Sequence, residues 1–358
     1  MAKREKKLRF ALFGCGQAGM NHLESLCNTP GAEVVAVCDK REEAARAAAR
    51  KYNIPSFYLD AGRLFRNERI DAIANVTSTG GHYPITMMAA RRGIHVFLEK
   101  PMSASFRQAK EMADLCRKSG VILAVTFTYR FVPETIYIKE TIDSGKLGRL
   151  LEVRYLRYNG NPHKYPPGSA MRRQRDNLNT GEGQGIVYDC GIHAIDLICW
   201  YAGHEPVKMD AWGTHHEGYD YPDTATCMLE FGNGVKGVYD YGSLSGSYEN
   251  FGQGRALMSI IVNCEKGSIV YNLGINVAGR DNDTSYIDVL TSRKHTVKTF
   301  PIYEKCRDVQ YRQFIESVRA GKLKGNFPGP EEAAKATMVA EKMLRLCLKN
   351  RIRSPLHT

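Results

Sequence analysis

From Leu8 to about Tyr129, short apolar runs alternate with stretches whose apolar residues recur at helical spacing, which predicts strand-helix-strand units on a parallel sheet. Strands are expected at Leu8–Phe13, Val34–Cys38, Ala72–Val76, His95–Leu98 and Val121–Phe127, each a nearly continuous apolar run of the kind a strand covered on both faces requires. Helices are expected at Ala18–Cys27, Glu42–Lys51, Tyr83–Arg92 and Phe106–Ser119, so this half reads as a doubly wound α/β domain. A helix at Pro133–Ser144 and a Gly-Lys-Leu-Gly-Arg turn at Gly145–Arg149 then lead into a different rhythm. Leu151–Tyr158, Ala225–Phe231, Val235–Tyr241, Leu257–Val262 and Ser268–Tyr271 are β-rich with Gly, Asn and Asp between them, the pattern of an α+β domain with a large, mostly antiparallel open sheet. A helix at Gly191–Tyr201 interrupts them, and helices near Asp308–Ala320 and Pro330–Lys349 close the chain.

The 358 residues and 43% hydrophobic content suit two globular domains, which the change of rhythm places at 1–129 and 130–358. No run approaches the roughly 18 consecutive apolar residues of a membrane-spanning helix, and the charged start Met1–Leu8 has no apolar signal-peptide region behind it. A cytoplasmic location without a membrane partner is the expectation. The ten cysteines are scattered, with neither a CxxC pair nor a Cys/His cluster at zinc spacing, so reduced thiols and no metal are expected. A formal net charge of +12 raises nucleic acid as a partner, but the basic residues are spread out and carry no nucleic-acid-binding motif. An anionic cofactor or substrate accounts for part of the excess.

Directly after the first strand, Gly14-Cys15-Gly16-Gln17-Ala18-Gly19 forms a GxGxxG that leads into a helical pattern. One glycine makes the tight turn, the next lets the backbone approach a pyrophosphate, and the third lets helix pack on strand. The phosphates then rest at the helix N-terminus, by Gln17 and Ala18. Asp39 ends the second strand twenty residues after Gly19, where a carboxylate holds the adenosine ribose hydroxyls. Its charge repels a 2′-phosphate and favours NAD, whereas Lys40 and Arg41, which follow at once, leave NADP open.

Glu99-Lys100-Pro101 closes a strand on the carboxyl side of the sheet, the edge where open α/β sheets bind ligands, which sets Lys100 beside the cofactor. Asp189-Cys190-Gly191-Ile192-His193-Ala194-Ile195-Asp196 opens the isolated helix of the second half, and helical spacing brings Asp189 and His193 toward a common point. Lys100, Asp189 and His193 supply what oxidation of an alcohol needs: a base near neutral pH, a cation for the developing alkoxide and an orienting carboxylate. The alternative for the second motif is an Asp cap beside a buried, hydrogen-bonded histidine, and Asp196 is read as support for the helix.

On these motifs the chain resembles the Gfo/Idh/MocA family of oxidoreductases. The resemblance also takes in Thr77-Ser78-Thr79-Gly80-Gly81-His82, similar to the family's TPxxxH with serine in place of proline, as well as Thr126-Phe127-Thr128-Tyr129-Arg130-Phe131 and Gly145–Gly148. It implies a Rossmann N-terminal domain, a nicotinamide cofactor, and a hydride moved to or from a hydroxyl of a sugar, inositol or derivative. It also implies that Lys100 contacts the substrate hydroxyl and the nicotinamide ribose, that His193 is the base and that Asp189 is its substrate-binding partner. Thr77, Ser78, His82 and Glu99 then stand where the dinucleotide wall is built, and Tyr129 and Arg130 near the substrate.

A polar loop, Tyr158–Gly185, precedes Asp189 and carries His163, Lys164, Tyr165, Arg172, Arg173 and Arg175. Tyr165, Arg172 and Arg173 are candidate substrate ligands, the arginines suiting an anionic group on the sugar, with a solvated basic surface as the alternative. A large sheet with few covering helices is expected to bury its face against another subunit, which predicts a dimer or tetramer through the C-terminal sheet. Two other functions compete: an NAD-dependent glycosidase that oxidises a ring hydroxyl transiently, eliminates the glycoside and returns the hydride, and a nucleotide-binding regulator without catalysis. The first differs in releasing an aglycone without accumulating NADH.

Overall fold

In the computed structural model, which describes residues 6–159, 184–215, 219–243, 257–273, 285–300 and 304–353, the apolar residues Phe10–Phe13 form the fully buried middle of a six-stranded sheet. The elements of this part run β1 (Leu8–Phe13), α1 (Gln17–Asn28), β2 (Ala32–Cys38), α2 (Glu42–Tyr52), β3 (Ser56–Tyr58), α3 (Ala61–Asn67), β4 (Ala72–Asn75), α4 (Thr79–Ala90), β5 (His95–Leu98), α5 (Phe106–Lys118) and β6 (Leu123–Val125). Strand order is β3-β2-β1-β4-β5-β6 with every pair parallel, so the order reverses between β1 and β4 and opens a crevice at their carboxyl ends.

This is the expected doubly wound sheet with β3 and α3 added, elements too short and too polar to stand out in the sequence. The sixth strand covers only Leu123–Val125 of the expected Val121–Phe127, and a 3₁₀ turn, Thr128–Phe131, follows it. Helix α4 starts at Thr79 rather than Tyr83. Pro84 lies inside the helix, where it forfeits one bond to the carbonyl of Gly80.

The second part contains α6 (Pro133–Asp143), β7 (Leu150–Asn159), α7 (Gly185–Tyr188), α8 (Gly191–Ala202), β8 (Pro206–His215), β9 (Thr224–Phe231), β10 (Lys236–Ser243), β11 (Leu257–Cys264), β12 (Gly267–Leu273), β13 (Ser285–Thr291) and β14 (His295–Phe300). After these come α9 (Cys306–Ala320), α10 (Pro330–Lys349) and β15 (Arg351–Arg353). The nine-stranded sheet has the order β14-β13-β12-β11-β7-β10-β9-β8-β15. Its pairs are antiparallel except β7 with β10 and β8 with β15, which run parallel. One face is buried by alternation: Val153 and Tyr155, Cys227 and Leu229, Tyr239 and Tyr241, and Ile260 and Val262 all point inward, and α8 packs on β7 and β10.

The chain divides into two compact units, residues up to Phe131 with Glu304–Thr337, and Val132–Tyr303 with Met338 onward. The expected span 130–358 for the second domain is thus corrected: α9 returns to the first unit. Its Tyr311, Phe314 and Ile315, with Phe327 beyond it, share one cluster with Phe10, Leu12, Leu23 and Phe97. Tyr311 stacks on Phe97 at 4.1 Å between ring centroids, and the edge of Phe314 meets the same ring at 5.5 Å. Without α9 that face of the sheet would be left in water.

Candidate active site

At the end of β1 the chain turns at Gly14, whose φ of +93° and position against the Val76 carbonyl suit glycine alone. The first turn of α1 then passes so close that a Cβ on Gly19 would lie 1.8 Å from the Gly14 carbonyl oxygen. Gly16 caps α1 with no side-chain hydrogen bond, and Gln17 and Ala18 are exposed, so the amides of the first turn have no side-chain cap. A bare, glycine-lined helix end at the sheet's switch point has the chemistry to take a pyrophosphate, and these residues fit a dinucleotide.

Asp39 closes the other side of that crevice. Its Oδ2 accepts the Cys15 N–H at 2.7 Å, and its Oδ1 accepts the Arg41 N–H at 2.9 Å and the Arg41 Nε at 3.3 Å. Burial pushes this carboxyl up, but the Arg41 and Cys15 backbone amides and the Arg41 guanidinium outweigh it and hold it below its ordinary value. Asp39 is therefore an anion that ties the glycine loop to β2 and still has lone pairs for a ribose hydroxyl. Lys40 beside it is exposed.

Glu99 and Lys100 follow β5 on the same carboxyl edge, both half-buried, with a cis peptide between Lys100 and Pro101. Glu99 Oε1 meets Nε2 of the buried His22 at 2.9 Å, and Glu99 Oε2 accepts the Lys100 N–H at 3.0 Å. Nδ1 of His22 lies 2.8 Å from the hydroxyl of Tyr311. Burial holds His22 below the ordinary histidine value, against the hydrogen bond and charge of Glu99. Thr77 is half-buried and its Oγ1 donates to Asn75 Oδ1 at 2.8 Å, and Ser78 is the exposed cap of α4.

His82 is expected in the dinucleotide wall, but it is 1% exposed with Nδ1 2.7 Å from the Pro101 carbonyl and Nε2 3.1 Å from the Thr77 carbonyl. A ring enclosed by two main-chain carbonyls supports the turns on which Thr77 and Pro101 lie. Arg130 is expected near substrate, but it is 2% exposed and its Nη2 donates to Glu332 Oε1 at 2.6 Å. A buried guanidinium held by a carboxylate of the first turn of α10 is a structural ion pair. Tyr129, on the 3₁₀ turn, is half-buried.

In the second unit, α7 ends at Tyr188, Asp189 follows it, and α8 begins at Gly191, where a Cβ would lie 2.2 Å from the Tyr239 hydroxyl. Asp189, in the turn between α7 and α8 and so outside the helix that the sequence spacing assumes for it, and His193, on α8, are both half-buried, while Ile192, Ala194, Ile195, Asp196 and Leu197 of α8 are buried. Asp189 Oδ2 accepts from Cys190 Sγ at 3.2 Å. Asp196, 1% exposed, is part of the packing, while His193 is turned partly toward solvent. Tyr165, Arg172 and Arg173, with His163, Lys164 and Arg175, lie outside the described residues.

Three residues are added by the structure. Asn75, fully buried, accepts from Thr77 Oγ1, donates to the His82 carbonyl at 3.2 Å, and accepts the Glu99 N–H on its own main-chain oxygen at 3.0 Å. An amide side chain ending the apolar run Ala72-Ile73-Ala74 is its sequence signal. His22 shows as an imidazole on the buried face of α1, with Gly19, Leu23 and Leu26. Tyr311 lies 289 residues from His22 and carries no local signal.

The family model for the oxidoreductase family with an NAD-binding Rossmann fold, GFO_IDH_MocA, matches residues 8–127, and that for the GFO/IDH/MocA C-terminal domain matches residues 135–270. D-glucoside 3-dehydrogenase of Escherichia coli (strain K12) is 33% identical over 210 residues, 58% of this chain and 57% of the relative. The scyllo-inositol 2-dehydrogenase (NAD(+)) of Bacillus subtilis (strain 168) is 29% identical over 240 residues, 65% of this chain and 66% of the relative. The match thus spans less than two thirds of the length of either relative. An oxidoreductase from Agrobacterium radiobacter, solved with NAD+, L-tartaric acid and magnesium, has the same fold at a TM-score of 0.80 and 20% identity, over 97% of this chain and 98% of that one. The two family matches in sequence order, on the two units just described, make this chain a member of the Gfo/Idh/MocA oxidoreductase family.

Proposed function

We propose that the protein is an NAD-dependent dehydrogenase that oxidises a hydroxyl of a sugar, inositol or related polyol. The observation that carries this reading is the shared carboxyl edge of the first sheet: the uncapped first turn of α1, the ionised Asp39 and the half-buried Lys100 all stand on it. The α1 amides bind the pyrophosphate, with Gly14, Gly16 and Gly19 admitting it, and Asp39 takes the ribose hydroxyls. An anionic carboxylate there, with Arg41 already engaged on it, favours NAD over NADP. When bound, NAD supplies the hydride acceptor. His193 takes the proton leaving the substrate oxygen, Lys100 donates a hydrogen bond to that oxygen as charge builds on it, and Asp189 orients substrate and base. The named relatives, a glucoside dehydrogenase and an inositol dehydrogenase, support a polyol substrate.

A panel of glucosides, inositols and aldoses assayed with NAD+ by nicotinamide absorbance tests the reading. The wild type reduces NAD+ with at least one of them, while Lys100→Ala and His193→Ala lose about 100-fold or more in kcat and still bind NADH. Wild-type turnover in either variant overturns the assignment, and aglycone release without NADH replaces it with redox-neutral cleavage.

The same reading includes a homo-oligomer formed through the second sheet and a cytoplasmic location. Supporting the first, the large apolar side chains of Val207, Trp212 and Met228 on neighbouring strands β8 and β9 are 65%, 39% and 57% exposed, which water does not favour. Supporting the second, all ten cysteines are free thiols.

A further inference from the structure

We propose, on the reading of Lys100 as a catalytic amine, that His22, Tyr311 and His82 are positioning residues that hold the Glu99-Lys100-Pro101 turn from both sides and fix the point from which the amine is carried. Three consecutive residues of that turn have a main-chain group tied down. The Glu99 N–H donates to the Asn75 carbonyl at 3.0 Å, the Lys100 N–H donates to Glu99 Oε2 at 3.0 Å, and the Pro101 carbonyl is met by His82 Nδ1 at 2.7 Å.

The bond to Glu99 Oε2 is only as firm as the carboxylate itself, and its other oxygen is where His22 acts. A carboxylate accepts and cannot donate, so His22 Nε2 carries the proton toward Oε1 and leaves Nδ1 bare, and the Tyr311 hydroxyl donates to it. The result is a directed chain, Tyr311 to His22 to Glu99, that meets the Lys100 amide at its end. His22 and Tyr311 are 1% and 0% exposed. Aliphatic residues would fill that space without the cost of burying two polar groups, so the chain is explained by what it orders. On the far side, His82 is equally sealed, and its carbonyl partner belongs to Pro101.

The two histidines also sit on the helices whose leading loops build the dinucleotide crevice. His22 lies three residues past Gly19 on α1, and His82 lies on α4 after Thr77 and Ser78. The glycine loop and the Lys100 turn are therefore fastened to common supports, which sets the amine relative to the nicotinamide-binding edge. A misplacement of about 1 Å there is enough to cost about 100-fold in rate.

The test compares His22→Leu, His22→Gln, Tyr311→Phe and His82→Leu with the wild type, by amide exchange in NMR and by steady-state kinetics. Val96 and Thr126, whose amides bond to the Ile122 and Leu98 carbonyls, serve as references in the same sheet. In His22→Leu the Lys100 amide exchanges about tenfold faster or more while both references hold their rates. His22→Gln, whose side-chain amide can donate to Glu99, restores protection, and Tyr311→Phe, which keeps the stack on Phe97, falls between. In kinetics, His22→Leu and His82→Leu lower kcat by about 10- to 100-fold with little change in KM for NAD+, and His22→Gln recovers most of it. Unchanged Lys100 exchange in His22→Leu and Tyr311→Phe, or acceleration of all three amides together, overturns the positioning role. Normal turnover in Lys100→Ala would instead remove the functional reading, and the exchange data would still judge the turn.

Discussion

His215 ends β8 as a buried imidazole, 3% exposed, and burial together with the positive charge of Arg351 brings it down to about 4. Because the folded value is below the ordinary one of about 6.5, the native state binds fewer protons than the unfolded chain between those two limits. Its contribution to stability is complete above the ordinary value and is lost as pH falls toward 4, an amount of about 3 kcal/mol. Asp223 works in the opposite sense: burial lifts it to about 6, so its contribution is present at low pH and disappears as pH rises through that value. Thermal melts between pH 7 and pH 4 should therefore fall more steeply for the wild type than for His215→Leu, whereas Asp223→Asn, which lacks the opposing contribution that Asp223 gains as pH falls, should fall more steeply than the wild type over the same range. Parallel curves for wild type and His215→Leu would refute the imidazole's part. At this scale Asp39, Lys100, Asp189 and His193, the residues to which the proposed chemistry is given, stand out in the sequence because each belongs to a motif with fixed spacing. The surroundings of His82 and Arg130 are not legible, since neither spacing nor type reveals that a side chain is buried against a carbonyl or paired with Glu332.

The β1-loop-α1 unit is the element whose sequence and geometry agree most closely. The expected strand and the observed one share the bounds Leu8–Phe13, and GxGxxG has the backbone its spacing implies. Gly19→Ala puts a methyl into the Gly14 carbonyl, so α1 must back away from β1; NADH affinity should drop by about tenfold or more, and the melting temperature should fall with it. Gly80→Ala is the control, for an added Cβ there meets no atom within 4 Å. The helix should gain up to about 1 kcal/mol from it, and fluorescence titration with NADH together with thermal melts separates the two cases. The elements that escape the sequence are those whose pattern is weak for a physical reason. β14, His295–Phe300, is exposed at nearly every position and so has no alternation to read, and β15 is three residues with two arginines, the charged short edge that discourages further pairing. β8 opens with Pro206 and mixes Lys208 and Asp210 into its exposed face, which hides a ten-residue strand.

Across the whole chain, the hydrophobic rhythm locates the change of architecture near Tyr129 but says nothing of the return of α9 to the first unit. That return is a matter of which surface buries Tyr311, Phe314, Ile315 and Phe327, and surfaces far apart in sequence leave no periodic trace. Each such side chain contributes about 1.5–3 kcal/mol when buried, so together they rival the 5–15 kcal/mol that holds an ordinary domain folded. A fragment of residues 1–131 should accordingly lack a cooperative thermal transition, and joining residues 304–337 to it through a flexible linker should restore one. Cooperative melting of the short fragment alone would show that α9 is dispensable.

Synthesis on the ribosome gives this arrangement a temporal meaning. The glycine loop, Asp39 and Lys100 all emerge early, but Tyr311, which completes the chain behind that lysine, is made 289 residues after His22. A nascent polypeptide that stops short of α9 carries every recognisable motif of the first half and still lacks the brace behind Lys100, so the turn is fastened only once α9 has been made.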